Sequence, residues 1–369
     1  MKISKIYVKN KSTEYSIHIG IGALNILRKQ IKKLCPKTKK IGLILDKNIP
    51  AKFKSEIKKQ LKNYKVFTYE FLPDENLKSF NKANDLLEKL LKNNLSRNDT
   101  IITAGGGIIG DFGSFVASIF KRGLNLINLP STLLAQVDSS IGGKTAVNSN
   151  KGKNLIGTFY QPKLVISDLR LLKSLSKRNL ICGFAEIFKH AIINDRKFFE
   201  ILEKNLNKIL DKFDENIMKN IIYRSCKIKL FYVNRDENEK NERMILNFGH
   251  TFAHAIEAIN KYSRKVNHGE AVLVGIILAS RISLLKRVCT NHTFNKIEKI
   301  YLINKSLRKF NNFLTRKNLD KLVNFMEVDK KNFDKKINLI LLKKIGKTTI
   351  PGQYRFYPNE MKNLLRKIS

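Results

Sequence analysis

The chain has 369 residues, 43% of them apolar, with 71 Lys and Arg against 31 Asp and Glu for a formal charge of +40. That is long enough for two domains with their own cores, and the apolar share is ordinary for a soluble globular protein. The charge brings nucleic acid and anionic membranes into question. The basic residues, however, are almost all Lys, spread along the chain without an arm or tail, so a compositional bias on exposed positions is expected, with no specific nucleic-acid partner.

Four scattered cysteines, Cys35, Cys182, Cys226 and Cys289, form no Cys-x-x-Cys and read as free thiols of a reducing compartment. The start lacks a secretory h-region and no uninterrupted apolar segment reads as long enough to span a bilayer, so a cytoplasmic protein off the membrane is expected. Residues 3–9 and 13–19 alternate as strands of a hairpin, and Ala23 to Leu34 reads as an amphipathic helix. Ile41 to Asp46 is an apolar run ending in an acid, the pattern of a buried parallel strand whose carboxyl end faces ligands. Asp46 and Asn48 there suit a ribose or, equally, a helix cap. Val66 to Phe71 reads as a strand. Phe80 to Leu91 reads as a helix with Phe80, Ala83, Leu87, Leu90 and Leu91 on one face.

Ser96 to Thr100 is a turn, and Thr100 to Ala104 is a buried strand running into Gly105-Gly-Gly-Ile-Ile-Gly-Asp111. Such a turn lets backbone N–H groups approach a pyrophosphate at a helix N-terminus. It departs from the usual dinucleotide fingerprint: it is not on the first strand, and no acid closes the next strand, Leu124 to Pro130. Gly142-Gly-Lys-Thr145 is an anion nest with a cation at its rim, and Lys151-Gly-Lys153-Asn154-Leu-Ile-Gly157 reads as a second basic glycine turn. Together they suggest an anionic substrate. Leu164 to Asp168 is a last short strand.

From about residue 175 helices take over. Gly183 to Ala191 reads as amphipathic, with Glu186, Lys189 and His190 on one side, and Lys219 to Phe231 as a basic helix. After the polar turn at 236–240, Asn247 to Ala258 reads as a helix with Phe252, Ala255, Ile256 and Ile259 toward a core. His250 and His254, four apart, project from one face. His268 heads another apolar run, 271–279. Two imidazoles at helical spacing with a third nearby suit a divalent metal with open positions, and spacing alone leaves either His250 or His254 as ligand. Lys-rich helices follow Ser280, and Ile337 to Leu342 is the one late run with strand character.

Taken together, these motifs resemble those of the dehydroquinate synthase family of sugar-phosphate cyclases. The matching segments are residues 105–111, Lys121-Arg-Gly123, Leu133 to Asn148, 152–159, Ala185-Glu-x-x-Lys189, 246–257 and His268-Gly-Glu-Ala271. The resemblance implies an N-terminal α/β nucleotide-binding domain (1–176), a mainly α-helical C-terminal domain (177–369), and an active site in the cleft between them. It implies that Glu186, His250 and His268 hold zinc or cobalt, with His254 left to the substrate. It puts NAD on Asp46, Glu75, Lys78, Gly107, Ile108, Ile109, Gly110, Asp111, Ser131, Thr132, Lys144, Lys153, Leu171, Leu172, Lys173 and Ser174. Substrate contacts fall on Asp138, Lys144, Lys153, Asn154, Lys189, Lys229, Arg243, Asn247, His254 and Lys331 or its neighbour Lys330. Arg122 comes from the partner in a homodimer. Asp74 stands where the family usually has Gly, Ser131 replaces a usual Thr, and Asn241 a Gly.

The implied reaction converts 3-deoxy-D-arabino-heptulosonate 7-phosphate to 3-dehydroquinate and phosphate, a step of the shikimate pathway of aromatic amino-acid biosynthesis. NAD is reduced and reoxidised within one turnover. Rival readings are another sugar-phosphate cyclase, a metal-dependent polyol dehydrogenase, and a basic nucleic-acid-binding protein.

Overall fold

The computed structural model of the chain describes residues 3–9, 13–150, 152–263, 265–303, 316–327 and 336–368. They form two compact units, Met1–Gly183 with Leu210–Leu230, and Phe184–Ile209 with Phe231–Ser369.

The first unit is an α/β layer structure. Its strands are β1 (Ser4–Lys9), β2 (Glu14–Gly20), β3 (Lys40–Asp46), β4 (Lys65–Phe71), β5 (Thr100–Gly105), β6 (Asn125–Pro130), β7 (Lys144–Ser149), β8 (Gly152–Phe159) and β9 (Leu164–Asp168). Seven of these make one sheet in the order β1-β2-β9-β6-β5-β3-β4. Only β1 runs antiparallel to its neighbour; the other pairs are parallel. Parallel strands are covered on both faces, so their side chains alternate between two cores. Ile41, Leu43 and Leu45 join Ile102 and Ile127 beneath helices α1 (Leu27–Leu34) and α2 (Ala51–Gln60). Ile44 and Ile101 join the opposite core with α3 (Phe80–Lys92) and α4 (Gly107–Ile119). Helix α4 lies so close to the sheet that a Cβ at Gly113 would sit 2.5 Å from Thr103 Cγ2.

From β3 the chain goes outward to β4 and then returns to the other side of β3 as β5. The direction of winding reverses there, and the carboxyl ends of β3 and β5 border the crevice where open α/β sheets bind ligands.

Several expectations are corrected in this unit. The stretch before α1 opens as a 3-10 turn, Ala23–Ile26. In α3, Ala83 and Leu90 are buried and Leu87 packs against the core as predicted, but Leu86 joins the buried stripe while Phe80 and Leu91 are exposed. Residues 152–159 are a strand, with Gly152 opposite Ser149 where a hairpin closes, so the expected turn chemistry does not run on to Gly157. β7 and β8 form an antiparallel hairpin with Lys144 opposite Phe159, favoured by the β-branched Thr145, Val147, Ile156 and Thr158.

The second unit is mainly helical. Its helices are α5 (Lys177–Asn194, from Phe184 onward), α6 (Arg196–Leu210), the end of α7 (Glu215–Arg235), α8 (His250–Ile259), α9 (His268–Leu285), α10 (Asn291–Ile303), α11 (Arg316–Glu327) and α12 (Pro358–Ile368). Residues 180–193 of α5 are buried all round, so this helix is not amphipathic as expected. Helix α9 is long and apolar enough, by length and composition, to cross a membrane, although Glu270 and Arg281 interrupt its apolar run; 78% of it is buried, as in a core helix. The late strand run divides into β10 (Ile337–Leu339) and β11 (Leu342–Lys344). These pair with the unforeseen β13 (Tyr354–Phe356) and β12 (Lys347–Thr348).

Candidate active site

The first unit gathers its polar residues at the carboxyl ends of the parallel strands. Asp46 ends β3 and accepts the Asn48 N–H at 2.8 Å, and the Gly106 N–H also bonds it. Burial raises its pKa, against those two donors. Gly107, Ile108, Ile109, Gly110 and Asp111 begin α4; the first-turn N–H groups of 107–109 lack partners from within the helix, while the Gly110 N–H already donates to Gly106 O at 3.0 Å. Ile109 packs in the core, so only its backbone can serve a ligand. Ser131 and Thr132 follow β6, and the Ser131 N–H donates to Gly105 O at 2.9 Å. Beyond β9, Leu171 and Leu172 are buried, Lys173 pairs with Glu215 at 2.5 Å, and the Ser174 hydroxyl donates to Leu171 O at 2.8 Å.

Lysines and carboxylates interlock beside these ends. Lys78 Nζ donates to Asp111 Oδ2 at 2.6 Å and to Asn154 Oδ1 at 2.5 Å. Lys153 Nζ holds Glu75 Oε1 at 2.8 Å. Asn148, given no role by the sequence, ties the two together. Its side-chain amide donates to Glu75 Oε2 at 2.9 Å, its N–H donates to Lys78 O at 2.6 Å, and its Oδ1 accepts the Asn154 N–H at 3.0 Å. Burial opposes ionisation of Glu75, yet Lys153, Lys78 and Asn148 outweigh it and lower the pKa. Asp111 goes the other way: burial raises its pKa more than Lys78 lowers it, and Glu75 and Asp138 add to the rise.

Elsewhere in this unit Lys229 Nζ reaches both Asp138 O and Asp138 Oδ1 at 2.6 Å. Lys144 is exposed at the start of β7, after Gly142 and Gly143 at φ 92° and 69°. Arg122 lies in a left-handed stretch with Lys121 and Gly123, at φ 68°, 47° and 117°. Two non-glycine residues in that region store strain of the kind that collects at functional sites.

In the second unit α5, α8 and α9 bring three donors together. Glu186 Oε1 lies 3.4 Å from His250 Nε2 and 3.7 Å from His268 Nε2. The donor atoms of Glu186, His250 and His268 all lie within 4.8 Å of one another. Ligand atoms around a tetrahedral zinc are about 3.3–3.4 Å apart, from Zn–ligand bonds of about 2.0–2.1 Å, so the set fits one small divalent ion. Glu186 is fully buried, and its Oε1 has no hydrogen-bond partner among the described residues. A bare buried carboxylate oxygen is costly unless a cation satisfies it. The other oxygen, Oε2, accepts from Lys189 Nζ.

Both imidazoles turn Nε2 inward. His250 Nδ1 lies 3.4 Å from Phe248 O, and His268 Nδ1 lies 3.0 Å from Glu257 Oε2. Two glycines allow α8 and α9 to approach. A Cβ at Gly275 would be 2.1 Å from Gly249 O, and Gly249 takes φ 80°. Asn267 caps α9 in a capping box with Glu270, setting His268 on its first turn.

Burial and Lys189 lower the pKa of His250 to about 3, against the pull of Glu186, which leaves it neutral as a ligand must be. His268 is raised to about 10: burial opposes its charge, but Glu257 and Glu186 together prevail. Glu186 is held well below the usual carboxylate range, because Lys189 and His250 outweigh its burial.

His254 lies outside the three-donor set, with its ring 5.6 Å from that of His250. Asp236 accepts the Arg243 N–H at 3.1 Å, Glu237 O accepts from Arg243 Nη1, and Glu239 accepts from the Asn247 side chain at 3.0 Å. The 236–239 turn thus holds Arg243 and Asn247. Lys330 and Lys331 lie outside the described residues. Sequence reasoning missed Asn148, Glu257 and the Gly249–Gly275 approach. Only the His-to-Glu spacing 250/254/257, which repeats on one helix face, carried a signal for Glu257.

The family model described as 3-dehydroquinate synthase N-terminal matches residues 68–182, and that described as 3-dehydroquinate synthase C-terminal matches 183–332. The chain is 46% identical over 355 residues, 96% of each chain, to a 3-dehydroquinate synthase of Pelagibacter ubique (strain HTCC1062). Its fold is similar to that of a 2-deoxy-scyllo-inosose synthase complexed with carbaglucose-6-phosphate, NAD+ and Co2+, with a TM-score of 0.86, 24% identity and 99% of each chain covered. It is also similar to a 2-epi-5-epi-valiolone synthase from Streptomyces hygroscopicus subsp. jinggangensis with NAD+ and Zn2+ bound, with a TM-score of 0.83, 19% identity, and 100% of this chain and 99% of that one covered.

Proposed function

The chain belongs to the 3-dehydroquinate synthase family, and from that premise we propose that it cyclises 3-deoxy-D-arabino-heptulosonate 7-phosphate to 3-dehydroquinate with loss of phosphate. Glu186, His250 and His268 hold a divalent metal, zinc or cobalt. The strand-end residues Asp46, Gly107 to Asp111, Ser131, Thr132 and Leu171 to Ser174, with Glu75 and Lys78, hold NAD. When bound, the metal supplies Lewis-acid polarisation of a hydroxyl or carbonyl, and the dinucleotide supplies a hydride acceptor that is restored within the turnover.

The chain's own groups bind and orient the substrate and manage its protons. Lys144, Lys153 and Asn154 meet anionic oxygens; Lys153 exchanges Glu75 for substrate, as Lys229 exchanges Asp138, so each cation is kept ordered for its ligand. Arg243 and Asn247, steadied by the 236–239 turn, take the carboxylate end. Lys189 and His254 hold or move protons of the reacting hydroxyls. In the elimination the C–O bond to phosphate breaks as the adjacent C–H is lost, and the leaving phosphate can take that proton. Arg122 acts in the partner subunit of a homodimer.

The convergence of Glu186, His250 and His268 in a chain 46% identical to a 3-dehydroquinate synthase carries this reading. The test supplies the heptulosonate phosphate with NAD and zinc and measures phosphate and NADH together. Phosphate release without net NADH is expected. Net NADH would indicate a polyol dehydrogenase, and no phosphate from folded, metal-loaded protein would indicate a cyclase for another sugar phosphate.

A further inference from the structure

We propose that Glu257 is a positioning residue that sets the tautomer and ring orientation of His268, and so the affinity for the metal; this rests on the reading of Glu186, His250 and His268 as ligands. Glu257 stands seven residues after His250 on α8, on the same helix face. It is 8% exposed, and its Oε2 lies 3.0 Å from His268 Nδ1. A neutral imidazole that donates its Nδ1 proton to a carboxylate presents an unprotonated Nε2, the form a metal ligand takes, and in His268 that nitrogen faces Glu186 Oε1 at 3.7 Å. Helix α8 therefore supplies one ligand directly and orients the ligand on α9. The reach depends on the close approach of Gly249 and Gly275, where a Cβ at 275 would be 2.1 Å from Gly249 O. His250 makes the corresponding Nδ1 contact with a backbone carbonyl, Phe248 O, at 3.4 Å. Only the His268 orientation thus hangs on a side chain that can be exchanged.

The test is a zinc titration of the full chain against a chromophoric chelator, with 15N-histidine NMR of the loaded protein. Glu257→Ala is expected to raise the zinc Kd roughly 10–100-fold and to mix the His268 tautomers. Glu257→Gln keeps an acceptor without its charge and is expected to fall between wild type and Glu257→Ala. It also decides the matter if Glu257→Ala does not fold. A zinc Kd and His268 tautomer unchanged in folded Glu257→Ala, or in Glu257→Gln should the alanine variant fail to fold, overturn the proposal. His268→Ala is titrated alongside: wild-type zinc affinity there overturns the ligand set itself, whereas lost affinity there beside unchanged affinity in the Glu257 variants overturns only the role of Glu257.

Discussion

In the first unit each buried or half-buried lysine of the candidate site already has a carboxylate of its own chain: Lys153 with Glu75, Lys78 with Asp111, Lys229 with Asp138. In the second unit three donors turn toward one point, and one buried carboxylate oxygen has no hydrogen bond among the described residues. The first arrangement suits an anion that substitutes for a carboxylate, leaving the cations ordered in its absence. The second suits a cation, which can take the carboxylate, the neutral His250 nitrogen and, once its proton is displaced, that of His268 together. Charge matched in advance costs little to exchange, while a convergent donor set is costly until it is filled.

The sharpest way to break this contrast is Glu186→Ala. Losing a metal ligand should lower kcat/KM by at least about 1,000-fold, a loss of several kcal/mol, with zinc content falling in parallel by metal analysis. Retained zinc and activity would remove the basis for treating the second unit as a cation site. Lys78→Ala probes the other side. It strips Asp111 of its cation and should cost about 2 kcal/mol in urea unfolding, with NAD binding weakened while zinc content is kept. A loss of zinc instead would dissolve the distinction.

Two glycine substitutions sharpen it further. Gly275→Ala forces a Cβ against Gly249 O and should destabilise the protein by about 1–3 kcal/mol, weakening zinc binding by spreading α8 from α9. Gly110→Ala has nothing within 4 Å of its new Cβ, so thermal stability should hold or rise by up to about 1 kcal/mol. Its NAD Kd should still rise if the dinucleotide passes there. An unchanged NAD Kd, read by isothermal titration, would move the cofactor off the 107–111 turn.

A pH dependence tests the same contrast. His268 is raised to about 10 from its ordinary 6.5. In metal-free protein its contribution to stability is therefore fully present below about pH 6.5 and is lost as pH rises toward 10. Metal must displace that proton, so zinc uptake at neutral pH should release about one proton. Melting curves from pH 6.5 to 10 should decline for metal-free protein and stay flat for loaded protein. Parallel curves would refute the competition.

Much of the first unit is legible in its residues alone. Apolar runs ending in Asp46, Gly105 and Asp168 are strands buried on both faces, and the glycine turn at 105–111 opens a helix. Local pattern fails where neighbours decide. Gly-Lys-Asn at 152–154 has turn chemistry but opens a hairpin strand, opposite a register shift between Val147 and Ser149 and with Asn154 at φ 56°; the β-branched pairs Val147–Ile156 and Thr145–Thr158 farther along hold the ladder. Glu186, Lys189 and His190 look like a polar face on α5, yet the helix is buried all round. The cost of burial implies that Glu186 needs a cation; which cationic group or metal reaches it is set by distant segments.

Periodicity and residue chemistry, which act over a few neighbours, thus determined the strand order's raw material, the helix carrying His250 and His254, and the kind of atoms able to bind a metal. Spacing left His250 and His254 open and the family motifs pointed to His250, but the role of Asn148 between Glu75 and Asn154 and the contact from Glu257 to His268 belonged to the tertiary structure alone. They depend on separations of a few ångströms between residues far apart in the chain. Such separations follow from how closely backbones can pack, as at Gly249 and Gly275, and no local pattern encodes them.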